Sequence, residues 1–594
     1  MRLFFRRLGI TAGIVLLLAA VNWAAAGWFL GGNVDKIITA LDQGRWPVAR
    51  GKIVLDVSAR KQDGSIGSQG NAELLIDTNR FRARVRFDKH GFELAGGDAT
   101  YIGNPVKGFQ FAGPPAGFPE SRQALREAAA RLAAFSAAQK LAIIAWEHPF
   151  IAGWGRHNGR LCWRIKFRHG SVLAGEDGLF LALDLAIPSR SQTWRLAARI
   201  DNLPEDAAFC PPSPAVRQVP PAEIDRAVAE SLRILSLQFT PVIPEPDRFA
   251  RSGQGWLRIK DGRRLLHIEG TAHEIGYQHG SLLAPNVRRL VNRIVYGAGL
   301  YYSLEKGQWF PEEALKLCER QDPWIDPDYM EEMRGLAEGA GVPLADIRRA
   351  NIFPEFFHCS GAALFGRATA GGRLLHARVL DYMTEVGLQD EAVVIAVQRA
   401  GALRWVNVGY AGFAGSVTGM NEEQIAIGEM GGRGEGLWDG TPMSFLLRGA
   451  LEHSSTLEEA LAYMRDRKRT CEYYYVISDG KITGAVGVEA TPELFNVLQP
   501  GQAVERLPEA VPDAVLLSGG ERYKHLVRRV RESYGRIDAK MLQDIIRRPV
   551  SMRSNLHDAI FEPQHLRLTV FDAGRKIPAC DMPPAVYEWK ELFP

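Results

Sequence analysis

Residues 358–382, HCSGAALFGRATAGGRLLHARVLDY, carry the pattern that decides the fold. Small and apolar residues from Cys359 to Phe365 predict a strand, Ala370-Gly371-Gly372 a turn, and Leu374 to Leu380 the returning strand. Antiparallel pairing about residue 370 or 371 sets the start of the first strand against the end of the second, so Cys359 is expected beside Asp381 with Arg378 close by. That trio suits a nucleophilic thiol, because a guanidinium favours the thiolate and a carboxylate can orient an amine or a proton carrier. A buried cysteine in a hairpin with a surface Arg and Asp fits the same spacing.

Strand and helix signals continue on both sides. WLRIKDGRRLLHIEG, beginning at Trp256, predicts a hairpin about Asp261-Gly262. Val287, Leu290, Val291, Ile294 and Val295 recur at helical spacing. Thr456 caps a second helix with Glu459 completing a capping box, and Leu457, Ala460, Leu461 and Met464 share one face. VVIAVQ, RWVNVGY, QIAIGEM, YYYVIS and RLTVFDA read as strands among these helices, which predicts an α+β layered sheet over residues 255–594 rather than a doubly wound one. No glycine-rich phosphate loop follows a strand, and Gly412, Gly415 and Gly419 are spaced wrongly for a dinucleotide fingerprint.

Upstream, residues 35–210 read as a β-rich accessory domain, with alternation in KIVLDVSAR, ELLID, RFRARVRF, LCWRIKF and TWRLAARI and an Ala-rich helix over Ala124 to Lys140. No acid/base or nucleophile cluster occurs there. Proline density in CPPSPAVRQVPPA and PVIPEPDRFAR predicts a linker over residues 211–254. At the start of the chain, Arg2, Arg6 and Arg7 precede an uncharged stretch from Leu8 to Val34. Residues 1–34 are therefore expected to be a signal peptide or membrane anchor, the anchor being favoured because the apolar part reaches the ~20 residues that span a bilayer. The positive-inside rule then puts the bulk of the protein outside the cytoplasm, in the cell envelope or periplasm.

Composition narrows the function classes. With 46% hydrophobic and 24% charged residues among 594, the chain is globular, and 72 basic against 68 acidic residues disfavour a nucleic-acid partner. Six cysteines are too few for a disulfide scaffold, although Cys162 and Cys210 could pair in an oxidising compartment. No Cys/His ladder predicts a metal site, and His273 and His279, six apart, do not share a helical face. The length prior of about four domains falls to two plus an anchor.

The blocks CSGAALFGRATAGGRLLHARVLDY, GMNEEQIAIGEM and TPMSFLLRGALEHSSTLEEALAYM resemble the autoproteolytic cysteine acyltransferases and hydrolases that include isopenicillin-N acyltransferase, within the N-terminal-nucleophile hydrolases. Penicillin V acylase, bile salt hydrolase and acid ceramidase are more distant members. The resemblance runs from about Gly255 to Ala573 and implies an αββα sandwich. It implies that the chain cuts itself between His358 and Cys359, so that Cys359 supplies both the nucleophilic thiol and an α-amine base. Arg378 and Asp381 match the family's Arg and Asp after the hairpin, with Asp381 holding the new amine and Arg378 tuning the thiol. Asn421 is implied near the pocket, where a turn residue is an equal reading, and Arg522 matches a distal supporting arginine, where a surface helix arginine competes evenly. The sequence departs from the pattern in three places: Tyr474 stands where many relatives have an Asn, Val379 follows Arg378 in place of Asn, and His358 precedes the cut in place of a small residue. With Tyr474 in that place, the oxyanion donor would be a backbone N–H or the hydroxyl of Tyr474 or Tyr475.

The resulting expectation is an amidohydrolase or acyltransferase acting on small amphiphilic N-acyl substrates through a thioester, with no metal or organic cofactor. A phospholipase B-like lipid ester hydrolase and a non-catalytic envelope protein with a hydrolase-like domain are the alternatives. Asn555 and His557 in SNLHDAIFEP rank below the main cluster, Cys471 among three tyrosines reads as core, and Trp438-Asp439 as a loop over the pocket.

Overall fold

The computed structural model describes Thr39 and residues 50–594, except 62, 79, 88–89, 116, 134–146, 176–179, 189–191, 210–215, 238–243, 353–357 and 433–435. The expected membrane segment at 1–34 and Cys210 lie outside the described residues. Among these, no helix is long and apolar enough to cross a membrane. The chain divides into two compact units, one of residues 1–240 with 299–309, the other of residues 241–298 with 310–594.

The first unit is built on one sheet of twelve strands. Six consecutive strands from Arg50–Lys61 to Phe109–Gly113 form one meander and five from Phe150–His157 to Gln192–Asp201 form another. They join where Arg50–Lys61 pairs antiparallel with Gln192–Asp201. Helix α1 (Pro119–Ala133) overlaps the expected Ala124 to Lys140 helix but starts earlier, with residues 134–140 outside the described residues, and α2 (Pro221–Leu237) lies where a linker was expected. The prolines misled because Pro221 opens the helix, a position where its missing N–H costs nothing, while Ile224, Ala227 and Val228 bury one face. Asp225 of α2 accepts the Glu120 and Ser121 backbone N–H groups at 2.9 Å, capping α1. Trp309, fully buried in the same unit, donates to Glu223 at 2.6 Å.

In the second unit the strands are β1 (Arg248–Ser252), β2 (Gly255–Lys260), β3 (Arg263–Gly270), β4 (His358–Gly366), β5 (Gly372–Asp381) and β6 (Ala392–Arg399). These are followed by β7 (Trp405–Tyr410), β8 (Thr418–Asn421), β9 (Ile425–Gly431), β10 (Tyr473–Asp479), β11 (Gly484–Ala490) and β12 (Phe495–Leu498). The last four are β13 (Ala514–Leu517), β14 (Asn555–Glu562), β15 (Arg567–Asp572) and β16 (Ala585–Glu588). Ten strands make a sheet in the order β1-β2-β3-β6-β7-β8-β9-β10-β11-β12, and six make a second in the order β13-β4-β5-β14-β15-β16.

The helices that matter for the site are α3 (Ala272–Leu282), α4 (Pro327–Ala340), α5 (Met443–His453), α6 (Leu457–Arg465), α7 (Gly520–Ser533) and α8 (Ala539–Ile546). Helices α3, α5 and α6 pack on the ten-stranded sheet, α7 and α8 on the six-stranded one, and β4 and β5 lie against β9. The order is thus helices, sheet, sheet, helices, a mixed α+β architecture. Close approach of the sheets depends on Gly361, where an added Cβ would stand 2.6 Å from Met430 Sδ and 2.9 Å from Val476 Cγ2. The Asp261-Gly262 hairpin is present, with both residues at positive φ, and Thr456 caps α6.

Candidate active site

Cys359 sits at the head of β4, and the β4–β5 pairing fixes what surrounds it. The hairpin forms as its sequence predicts, but the register places Cys359 opposite Leu380 and His358 opposite Asp381. The turn is centred earlier than residue 370, with Gly366 opposite Gly372, and a bulge between Leu364 and Gly366 recovers only part of the difference, setting Cys359 against Leu380 rather than Val379. Because directly paired residues share a face, the Cys359 thiol and Arg378 project between the two sheets. Ser360 and Asp381 project toward α7. Expecting the carboxylate beside the thiol was therefore wrong in detail, and the two groups serve opposite sides of the strand.

On the inner side, Arg378 is fully buried. Its Nη2 lies 3.4 Å from Glu429 Oε2 and its Nε donates to the Val417 carbonyl at 3.4 Å, while Nη1 contacts the Val379 carbonyl. Room for it comes from Gly428, where a Cβ would stand 2.8 Å from Arg378 Cδ. Burial pushes the Cys359 thiol up to about 12, and the Arg378 guanidinium opposes that rise. The chain therefore holds a neutral thiol with a cation against it.

On the outer side, one arginine ties three groups together. Arg522 on α7 contacts Asp381 Oδ2, donates to Ser360 Oγ at 2.8 Å and, through Nε, to the Val550 carbonyl at 2.6 Å. Asp381 Oδ1 accepts the Met552 N–H at 2.8 Å. Burial raises the Asp381 carboxyl and Arg522 pulls it back. Arg522 is thus brought to the cluster, where it donates to Ser360, one residue from Cys359 along β4.

Asn421 is not. Its Nδ2 donates to the carbonyls of Leu451 and Ser454 at 2.9 and 2.8 Å, and its Oδ1 accepts the Ile425 N–H at 3.0 Å. It closes the β8–β9 turn and the end of α5, as a turn residue would. The Tyr474 hydroxyl is also committed elsewhere, donating to Glu472 at 2.5 Å with Glu489 3.3 Å away. Asp439 is ion-paired with Arg320 at 2.9 Å. His279 is buried and accepts the Gly412 N–H at 2.9 Å, whereas His273 is half-exposed beside Glu338. Among the described residues no group of three or more His, Cys, Asp or Glu could hold a metal ion. Cys162 is a buried free thiol.

Several residues of the cluster were missed or underrated. Glu429 is the carboxylate beneath Arg378. His557, directly opposite Leu380, is buried with Nδ1 2.8 Å from the Tyr410 hydroxyl and Nε2 3.0 Å from Thr418 Oγ1. Burial holds its imidazole neutral. Asn555 donates to the Leu380 carbonyl at 3.2 Å and to Asp558 Oδ1 at 2.8 Å. The available signal was two adjacent polar residues, His557 and Asp558, in the interior of a strand whose other interior residues are apolar: both faces of that strand are covered, so each needs a partner.

Residues 369–506 match the family model of acyl-coenzyme A:6-aminopenicillanic acid acyl-transferase. Acid ceramidase of the whale Balaenoptera acutorostrata scammoni is 27% identical over 26% of this chain and 45% of its own length. The chain is a relative of these cysteine acyl enzymes. Protein dcd1B of Dictyostelium discoideum is 24% identical over 42% of this chain and 54% of its own. N-acylethanolamine-hydrolyzing acid amidase of Caenorhabditis elegans is 25% identical over 28% and 52%. The chain spans about half the length of the curated relatives it matches. Among solved structures, the Caenorhabditis elegans ortholog of that amidase is 16% identical, covering 35% of this chain and 93% of its own, with a TM-score of 0.29.

Proposed function

We propose that the second unit is a cysteine amidohydrolase or acyltransferase of the N-terminal-nucleophile kind, activated by cleavage of its own His358–Cys359 bond. The observation that carries this reading is the buried contact of Cys359 with Arg378 at the head of β4, with the Asp381–Arg522 pair one residue away across the hairpin. In the first step the thiol adds to the His358 carbonyl carbon. The C–N bond breaks as the thiol proton passes to the Cys359 nitrogen, and water then hydrolyses the thioester to a His358 carboxylate and a free Cys359 α-amine.

That amine, ordinarily at about 7.7 to 8.0, can take the thiol proton near neutral pH, which a thiol held near 12 in the uncut chain cannot lose unaided. The pairing of Asp381 with His358 supports Asp381 as the group that holds the ammonium form. In turnover the thiolate attacks an amide carbonyl, the amine leaves, and water or a second amine resolves the thioester. Small amphiphilic N-acyl compounds are the proposed substrates, supported by the kinship with acid ceramidase and N-acylethanolamine-hydrolyzing acid amidase. Attachment to a membrane with the bulk outside the cytoplasm rests on Arg2, Arg6, Arg7 and the apolar run that follows.

Mass spectrometry of the purified protein tests the cut. Dividing 65.7 kDa in proportion to residues 1–358 and 359–594 gives fragments of about 40 and 26 kDa, the smaller beginning at Cys359. Cys359→Ala stays whole. A wild-type chain that remains intact overturns the mechanism, and N-acyl hydrolysis undiminished in Cys359→Ala removes Cys359 as the nucleophile.

A further inference from the structure

Two carboxyls share the α7-facing side of the six-stranded sheet. Asp381 ends β5 and Asp558 stands on the neighbouring β14, opposite Val379, so the alternation that turns Asp381 toward α7 turns Asp558 the same way. Both are buried, 2% and 1% exposed. Asn555 lies between them: it pairs with Asp381 along the backbone, its side chain reaches the Asp381 carboxyl, and its Nδ2 donates to Asp558 Oδ1 at 2.8 Å. The Cys580 N–H, donating to Asn555 Oδ1 at 2.7 Å, holds the amide in that orientation.

The charges are uneven. Asp381 has Arg522 from α7 and the Met552 N–H, while among the described residues no cation is ion-paired with Asp558. The titratable groups that act on Asp558 are Asp381 itself, Arg378 across the sheet, Arg522, whose ion pair goes to Asp381, and the Cys580 thiol; the Cys580 backbone carbonyl accepts Arg547 Nε at 3.0 Å. The buried side chains of α8 are the apolar Leu542, Ile545 and Ile546. Two buried carboxyls served by one paired cation do not both ionise, and the proton rests on the one without the cation.

We propose that Asp558 is a positioning residue: it holds the single proton of this two-carboxyl site and so keeps Asp381 ionised beside the His358–Cys359 bond. Asp381 then meets the α-ammonium that cleavage creates, with no second negative charge competing for Arg522. Burial raises both carboxyls, Asp558 far more than Asp381, in keeping with that division. This inference rests on the proposed self-cleavage for its purpose but not for its proton.

The chain can be made by cell-free synthesis at set pH and its cleavage followed on gels, with infrared difference spectra recorded on the uncut Cys359→Ala protein. A neutral-carboxyl band is expected at pH 7 that the added Asp558→Asn change removes and an added Asp381→Asn change keeps. Asp558→Ala is expected to slow cleavage about tenfold or more. Asp558→Asn, which copies the shape of the protonated acid, is expected to recover most of that loss and to move the alkaline limb of the rate up by a pH unit or more, a tenfold difference in rate on that limb. The proposal is overturned if Asp558→Asn leaves the band in place, if it is as slow as Asp558→Ala with its fold intact, or if the alkaline limb does not move. Should the wild-type chain never cut, the self-cleavage reading fails, and the band still decides where the proton sits.

Discussion

The two units solve the same antiparallel problem in opposite ways. In the first, a single sheet leaves much of its surface to solvent: along Arg50–Lys61 only Gly51, Val54 and Ala59 are buried, and pairs such as Lys52–Glu73 sit at the surface. In the second, sheets face each other under helices, and all eight residues of β14 are buried, His557 and Asp558 included. A polar residue on an open sheet meets water whichever way it points. Inside a layered pair it must find a partner or give up its charge. The proposed chemistry therefore falls where both faces are covered, and the contrast predicts very different sensitivities.

The largest effect is expected where a covered charge loses its partner. Arg378→Ala leaves Glu429 buried without its cation, which should cost about 3 to 5 kcal/mol in urea unfolding and stop self-cleavage, and adding Glu429→Gln should return part of the stability. A pH effect comes next. Burial pushes His279 down to about 4 and His376 to about 3, so each stays neutral when folded and gains a proton when unfolded. Their stabilisation is complete above pH 6.5 and lost as pH falls through these values, for His279 amounting to about 3 kcal/mol. Asp572, raised to about 6 by burial, acts oppositely between 3.8 and 6 and offsets part of the loss. Urea midpoints at pH 7 and pH 4.5 should thus differ, and His279→Gln should shrink the difference. Gly361→Ala, forcing Met430 and Val476 apart from β4, should cost about 1 to 3 kcal/mol. Smallest of all, Lys52→Ala removes a surface pair and should shift stability by no more than about 1 kcal/mol. An effect as large as that of Arg378→Ala would erase the contrast.

Local patterns were legible where one rule dominated. The β4–β5 hairpin, the Asp261-Gly262 turn and the Thr456 cap follow from turn chemistry and periodicity alone. The thiol–guanidinium pair came from the family resemblance: in the expected register Arg378, three residues from Asp381, would face away from Cys359, and the observed Cys359–Leu380 pairing puts it on the thiol's face. What was hidden depended on details that composition does not encode: the turn closes with Gly366 opposite Gly372, earlier than residue 370, which sets Cys359 against Leu380 in place of Asp381, and Pro221, read as a breaker, opens α2. Glu429 and Asn555 reach the cluster from strands far apart in sequence. Asn421 lay in a block that resembles the family, yet its bonds hold its own turn and the end of α5.

One pairing described above bears on how the protein would live after cutting. Strand β3 precedes residue 358 and β6 follows it, and the two run side by side in parallel over six register pairs, Leu265–Val394 to Gly270–Arg399. A cut before Cys359 leaves a single sheet divided between two polypeptides. Whatever holds the first residues of the chain would then have no covalent link to the nucleophile, which would hang from its own former leader by backbone hydrogen bonds and buried contacts. Neither piece carries the whole folding instruction, so the molecule could be assembled once, as an unbroken chain, and not rebuilt from its parts.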